Sequence, residues 1–173
     1  INVVDTMPER QALISVTGYL TPSSIWLADA ATATARTLKS LAPRFDASKS
    51  VVEQREATSK DGTKIPYFMV HPKGMALDGN NPTIIYAYGG FEASMTPAYN
   101  EDAGKLWVEQ GGVFVVANIR GGGEFGPAWH DAGLKTKRQV IYDDFQAVAE
   151  ELIARKVTSP RRLGIQGGSN GGL

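Results

Sequence analysis

Leu163-Gly-Ile-Gln166-Gly167-Gly168-Ser169-Asn170-Gly171 is the stretch whose reading decides the fold. A short strand, Leu163–Gln166, follows Ser159-Pro160 and runs straight into G-x-S-x-G, the pattern that sets a serine on a strained strand-to-helix turn above an α/β sheet. The glycines have a physical task there. A side chain at Gly167 or Gly171 would collide with the neighbouring strand or helix, and the tight turn is what exposes Ser169 Oγ. An ordinary glycine loop whose serine satisfies backbone donors gives the same five letters, so the surrounding sequence has to decide.

Working backwards from the turn, Tyr142–Arg155 places Phe145, Val148, Ala149, Leu152 and Ile153 on one helical face. Val113–Ile119 is a valine-rich apolar run, Ala103–Gln110 a short helix stopped by Gly111-Gly112, and Thr83–Tyr88 a buried strand. Alternating strands and helices after residue 80 predict a largely parallel sheet with crossover helices, an α/β architecture. Upstream the pattern is different. Val51–Ser59 and Thr63–Val70 flank Lys60-Asp61-Gly62, a strong hairpin signal. Ala12–Leu20 and Ile25–Ala30 flank the turn cluster Thr21-Pro22-Ser23-Ser24 and predict a second hairpin. Ala30–Leu41 reads as a helix by its alanines or as a third strand by its Thr/Ala alternation, and both stay open.

The composition bounds the function. The chain has 173 residues, 42% of them hydrophobic and 21% charged, with 18 Lys+Arg against 18 Asp+Glu. Charge neutrality supplies no field for a nucleic-acid backbone or an anionic membrane, and no apolar run approaches the ~20 residues of a bilayer-spanning helix. Zero cysteines exclude a disulfide scaffold and a thiol nucleophile. Isoleucine at position 1 and the glycine-rich Ser169–Leu173 terminus lead to the expectation of a fragment of a longer protein.

In such a sheet one oxyanion donor is the backbone N–H after the nucleophile, here Asn170, and another comes from the loop after an earlier strand. Tyr86-Ala-Tyr88-Gly-Gly-Phe91 occupies that earlier position; its glycines admit close backbone approach, and Tyr88 offers a phenol as an alternative donor. Packing at the sheet end is the competing role for Tyr88 and Phe91. Gly121-Gly-Gly-Glu-Phe-Gly126 satisfies G-x-G-x-x-G after a strand, with Asp143 or Asp144 about the right distance on, but Pro127 and Gly133 argue against the helix a dinucleotide loop must open into. His71 and His130 are too few for a metal cluster, and both precede Ser169, against the Ser, Asp, His chain order of the α/β-hydrolase triad. Asp143-Asp144 reads as a pair of helix N-terminal carboxylates favoured by the macrodipole.

Ser59-Lys-Asp-Gly-Thr-Lys-Ile-Pro66, Tyr86–Phe91, Ala117-Asn-Ile-Arg-Gly-Gly-Gly-Glu-Phe-Gly126 with Trp129-His130, Asp143-Asp-Phe145 and Gly167–Leu173 together resemble the prolyl oligopeptidase family of serine peptidases over about residues 12–173. Asn170 after the serine and Phe91 closing Tyr-Gly-Gly-Phe resemble the prolyl-specific branch more than oligopeptidase B. The resemblance implies a β-propeller capping an α/β-hydrolase domain. Residues 1–45 then correspond to the end of the last blade and the return crossing, and residues 46–173 to the N-terminal part of the peptidase domain. It implies Ser169 as acylating nucleophile, Tyr88 as phenolic and Asn170 as backbone oxyanion donor, and Phe91 in the pocket for the proline ring. It also makes Gly121–Gly123 a structural turn, and puts the triad Asp and His, an orienting arginine and a stacking tryptophan after Leu173.

The expectation is therefore a parent serine oligopeptidase that cleaves short peptides after proline without metal or cofactor, the isolated chain being inactive. The alternatives are a non-catalytic α/β scaffold or binding module completed by another chain, and a dipeptidyl or acylaminoacyl peptidase relative. Short peptides are the expected partners, with neither nucleic acid nor membrane. The sequence leaves the compartment open between cytoplasm and periplasm, with the cytoplasm slightly favoured.

Overall fold

The computed structural model describes residues 1–8 and 10–173. Two sheets follow one another along the chain. The first is a four-stranded antiparallel meander, β1 (Asn2–Met7), β2 (Gln11–Gly18), β3 (Thr21–Asp29) and β4 (Thr34–Ser40), in that spatial order. The predicted hairpin is present, but its turn is Tyr19-Leu20 rather than Thr21–Ser24, because Gly18 already pairs with Thr21. Pro22 is accommodated in the opening residues of β3, ahead of the first β3–β4 pair at Ser24↔Ser40, where its missing N–H breaks no ladder. The open choice for Ala30–Leu41 resolves as a strand, with Ala28↔Ala35 and Asp29↔Thr34 closing a second hairpin.

The second sheet has five strands: β5 (Ser50–Thr58), β6 (Lys64–Pro72), β7 (Thr83–Tyr86), β8 (Val113–Ala117) and β9 (Leu163–Gln166), in the order β5-β6-β8-β7-β9. The Asp61-Gly62 hairpin closes as predicted, with Thr58↔Lys64 as the last pair. Gly62 takes φ +87°, and Asp61 Oδ1 accepts from Thr63 N–H at 3.0 Å. β5, β6 and β8 are antiparallel neighbours, whereas β8–β7 and β7–β9 are parallel.

Buried on both faces, β8 reads as an unbroken apolar run, as a central strand covered on both sides does. Val113, Val115 and Ala117 join Ile65, Tyr67 and Ile85 under helix α3 (Gln139–Ala154), while Phe114 and Val116 face Trp107, Val108 and Tyr19 on the other side. Each fully buried side chain such as Leu152 or Val148 contributes roughly 1.5–3 kcal/mol through loss of water contact.

Helix α3 begins three residues before the predicted start, and its buried face is Ile141, Asp144, Ala147, Val148 and Leu152, with Phe145, Ala149 and Ile153 half-buried. The helix predicted at Ala103–Gln110 starts instead at Glu101. Asn100 caps α1 (Glu101–Ala103), its Oδ1 accepting from Ala103 N–H at 3.0 Å, and the chain continues as a π-helical turn, Gly104–Val108. Gly111 at φ +90° ends it as predicted. The first sheet meets the second where Tyr19 packs on Phe68, 5.5 Å between ring centres, and Thr17 Oγ1 accepts from Tyr99 N–H at 3.3 Å.

Candidate active site

β7 lies between β8 and β9, so the chain crosses to one side of β7 and then returns to the other. That is a topological switch point, and ligands of open α/β sheets bind in the crevice outside the carboxyl ends of such strands. The last registered pair is Tyr86↔Gln166, so the loops beginning at Ala87 and Gly167 leave the sheet side by side. These are the two loops that carry Tyr88, Phe91, Ser169 and Asn170.

Ser169 sits at φ +52°, a left-handed conformation that strains a residue with a Cβ, and its side chain is exposed. The flanking glycines are required by contact: a Cβ on Gly167 would overlap the Gly171 carbonyl oxygen, and one on Gly171 would lie 2.5 Å from Ala87 O. The intervening Gly168 has open space around its Cβ direction and an ordinary extended backbone. Steric demand thus falls on the G positions of G-x-S-x-G and spares the first x.

Asn170 lies in the first turn of the 3₁₀ segment Ser169–Gly172, where a backbone N–H has no carbonyl of its own turn behind it, and this N–H pairs with no described residue. Its side chain is committed elsewhere. Nδ2 donates to Tyr88 O at 2.9 Å and to Gly89 O at 3.0 Å, while Oδ1 accepts from Arg138 Nη1 at 3.3 Å. Tyr88 is half-buried; Phe91, at φ +52°, is 78% exposed. An apolar cavity of about 400 Å³ lined by Tyr19, Phe45, Phe114 and Val116 reaches the ends of β7 and β9 at Tyr86 and Gln166, but none of the four candidate residues lines it.

The histidines are engaged away from Ser169. His71 is buried on β6, its Nδ1 2.9 Å from Pro72 O and its Nε2 3.4 Å from Glu53 Oε1. His130 Nδ1 donates to Gly121 O at 2.7 Å. Among the described residues no hydrogen bond joins Ser169 Oγ to either ring.

The 121–126 loop opens only the five-residue helix α2 (Pro127–Asp131), and its glycines are filled from outside. A Cβ on Gly121 would overlap Gly89 O and one on Gly123 would overlap Glu92 O, so the run packs beneath the loop bearing Tyr88 and Phe91.

The reading of Asp143-Asp144 as helix N-terminal carboxylates is corrected for both. α3 starts at Gln139 with no acid in its first turn; Asp143 Oδ1 accepts from Gln139 Nε2 at 3.0 Å, and Asp144 is fully buried. Asp144 Oδ2 accepts from Arg120 N–H at 3.0 Å and Arg120 Nε at 2.8 Å; Oδ1 accepts from Arg120 Nη2 at 2.6 Å and Ser59 Oγ at 2.6 Å. Arg120 Nη1 also pairs with Asp61. Its hydrogen bond, joined by the Thr63 N–H, holds the Asp61 carboxyl well below the usual carboxylate range. The hydrogen bonds Arg120 donates to Asp144 in turn raise the Arg120 pKa against the opposing cost of burial. This network ties the β5–β6 turn, the end of β8 and α3 together next to the candidate site. Two signals in the sequence point to it: a charge directly after the buried run Val113–Ile119, and a carboxylate four residues before Val148 on the buried stripe. Arg138, also missed, has no comparable signal.

The sheet order and the strand-to-turn geometry at Ser169 define the class: this is α/β-hydrolase architecture. A family model described as the prolyl oligopeptidase family matches residues 99–173. An uncharacterized peptidase of Sinorhizobium fredii, y4nA, is 60% identical over 94% of this chain and 22% of its own length. The prolyl endopeptidase of Elizabethkingia meningoseptica is 41% identical over 95% of this chain and 23% of its own. Among solved structures, a post-proline cleaving enzyme from Rickettsia typhi superposes with a TM-score of 0.84 at 49% identity, covering 95% of this chain and 24% of that one. Prolyl oligopeptidase B from Galerina marginata gives 0.88 at 33% identity, covering 99% and 25%. The chain belongs to the prolyl oligopeptidase family, and it spans less than a quarter of the length of these curated relatives.

Proposed function

We propose that these residues form the nucleophile-bearing part of a serine peptidase that hydrolyses short peptides after proline. The observation that carries the reading is Ser169 held at φ +52° on a turn whose neighbour, Asn170, presents a backbone N–H with no partner among the described residues beside the loop that carries Tyr88. In this mechanism Ser169 Oγ attacks the carbonyl carbon of the residue before the scissile bond. The developing oxyanion receives hydrogen bonds from the Asn170 N–H and the Tyr88 hydroxyl. The amine leaves, and water hydrolyses the ester on Ser169. Phe91, exposed at the rim, forms part of the wall against the proline ring.

Neither histidine is placed to take the Ser169 proton, so the base and its orienting acid come from outside these 173 residues. Serine is a poor nucleophile without its base and triad members act as a unit, so the 173-residue chain alone is inactive. The meander β1–β4 is the final blade of a propeller that restricts access to short peptides, with the boundary to the peptidase domain near residue 45. The names of the relatives, prolyl endopeptidase and post-proline cleaving enzyme, support the specificity.

Reporter peptides test it on the full-length protein. N-blocked Gly-Pro reporters are expected to be cleaved in preference to free-amino X-Pro and dibasic reporters. Preference for free-amino X-Pro would transfer the protein to the dipeptidyl branch, and no hydrolysis of any reporter would remove the peptidase reading.

A further inference from the structure

The Asn170 side chain does something its backbone role does not require. Its amide reaches from the turn after β9 to the loop after β7, and Nδ2 spends both of its hydrogens there, on Tyr88 O at 2.9 Å and Gly89 O at 3.0 Å. The fit is close: a Cβ on Gly90 would overlap Nδ2, so the loop is built to let this amide in. The other end is braced. Arg138, at the start of α3, donates from Nη1 to Asn170 Oδ1 at 3.3 Å and from Nη2 to Asn170 O at 3.4 Å. The guanidinium is itself held, its Nε donating to Tyr142 Oη at 2.9 Å and its Cζ lying 5.9 Å from the Tyr142 ring centre. Apart from this amide, no described side chain bonds the backbone of Tyr88–Gly90. The chain Tyr142, Arg138, Asn170, Tyr88 therefore links α3 to the residue that carries the phenol.

We propose that the Asn170 side-chain amide, braced by Arg138, is a positioning group that fixes the Tyr88 phenol relative to Ser169. Both of its accepting carbonyls belong to Tyr88 and its neighbour, so losing the amide frees the segment between β7 and Phe91. Arg138 restrains the amide about its terminal torsion, which is broad for asparagine, and orients Nδ2 rather than Oδ1 toward the two carbonyls. The inference rests on the reading of Tyr88 as an oxyanion donor.

The test is a double-mutant cycle in the full-length protein, using a prolyl reporter and hydrogen exchange across Ala87–Ala93. Removing an oxyanion donor by Tyr88→Phe is expected to lower kcat about 10²- to 10³-fold. Misplacing it by Asn170→Ala is expected to lower kcat about 10- to 100-fold with KM little changed. In the Tyr88→Phe background Asn170→Ala should have almost no further effect on kcat, because there is no phenol left to misplace. Arg138→Ala should reproduce part of the loss while leaving Asn170 in place, and Arg138→Lys should restore some of it. Asn170→Asp, equal in shape but without the donors, should do no better than alanine.

Exchange across Ala87–Ala93 should rise in Asn170→Ala and Arg138→Ala and stay unchanged in Tyr88→Phe. Full additivity of the two losses, or unchanged exchange in Asn170→Ala, would overturn the proposal. If Asn170→Ala does not fold, the Arg138 variants decide by the same two readouts. If Tyr88→Phe leaves kcat intact, the oxyanion assignment fails, and positioning of the phenol for catalysis fails with it; the exchange data then report only whether the clamp exists.

Discussion

Replacing Arg120 by methionine is predicted to cost about 3–5 kcal/mol of folding free energy, the price of stranding a buried charge. The figure follows from what surrounds Asp144. That carboxylate has no solvent exposure and four hydrogen bonds, of which the Arg120 side chain supplies two, at 2.6 and 2.8 Å. Methionine retains the aliphatic bulk and the residue-120 N–H but leaves Asp144 with only that N–H and the Ser59 hydroxyl. Set against a total stability of roughly 5–15 kcal/mol, the loss is large. The double variant Arg120→Met/Asp144→Leu removes both charges and should recover most of it, since a buried pair and a well-packed apolar pair are often nearly equal in stability. Urea unfolding followed by tryptophan fluorescence reads both. Trp129 is a local probe, its Nε1 donating to Ile119 O one residue from Arg120. A single variant within about 1 kcal/mol of the parent, or a double variant no better than the single, would refute the reasoning.

Three further outcomes are expected. Gly171→Ala should destabilise by about 1–3 kcal/mol, since its Cβ meets the backbone oxygen of Ala87, whereas Gly168→Ala should be neutral or stabilise by up to about 1 kcal/mol, as thermal unfolding of the two variants will report. Ser169→Gly relieves a left-handed serine and should raise stability by about 1 kcal/mol in the same assay while abolishing reaction with serine-directed probes. Asp61→Asn should remove part of the acid sensitivity. The Asp61 carboxyl is held low in the folded state, so its contribution is present above the unfolded value near 3.9 and lost as pH falls below it. Because Asp61 is half-exposed the difference stays under about 1 kcal/mol, and parent and variant should converge in urea midpoint between pH 5 and 2.

The parts of this fold that were legible in sequence are those decided locally. Asp61-Gly62 specifies its hairpin through a left-handed glycine and an aspartate that bonds two residues on, and β8 announces its burial by five consecutive apolar residues. The elbow glycines are legible because backbone clash leaves them no substitute. What escaped depends on partners distant in sequence. The position of the β2–β3 turn is not legible, because Pro22 looks like a turn residue until the late start of the β4 pairing is known. The face of α3 was rotated because Asp144 counts as polar until Arg120 neutralises it across 24 residues. In the site, Tyr88 and Asn170 stand out in sequence for their own chemistry. That the Asn170 side chain bonds the Tyr88 carbonyl, 82 residues away, is set by the sheet order and has no trace in the local sequence.

The central claim is that Ser169 is the acylated nucleophile, and active-site labelling tests it most directly. Full-length protein treated with a fluorophosphonate and digested for peptide mass mapping should carry the adduct on Ser169, lose it entirely in Ser169→Ala, and label rapidly, while the 173-residue chain alone should not label. An adduct on another serine, or labelling that survives Ser169→Ala, would contradict the account.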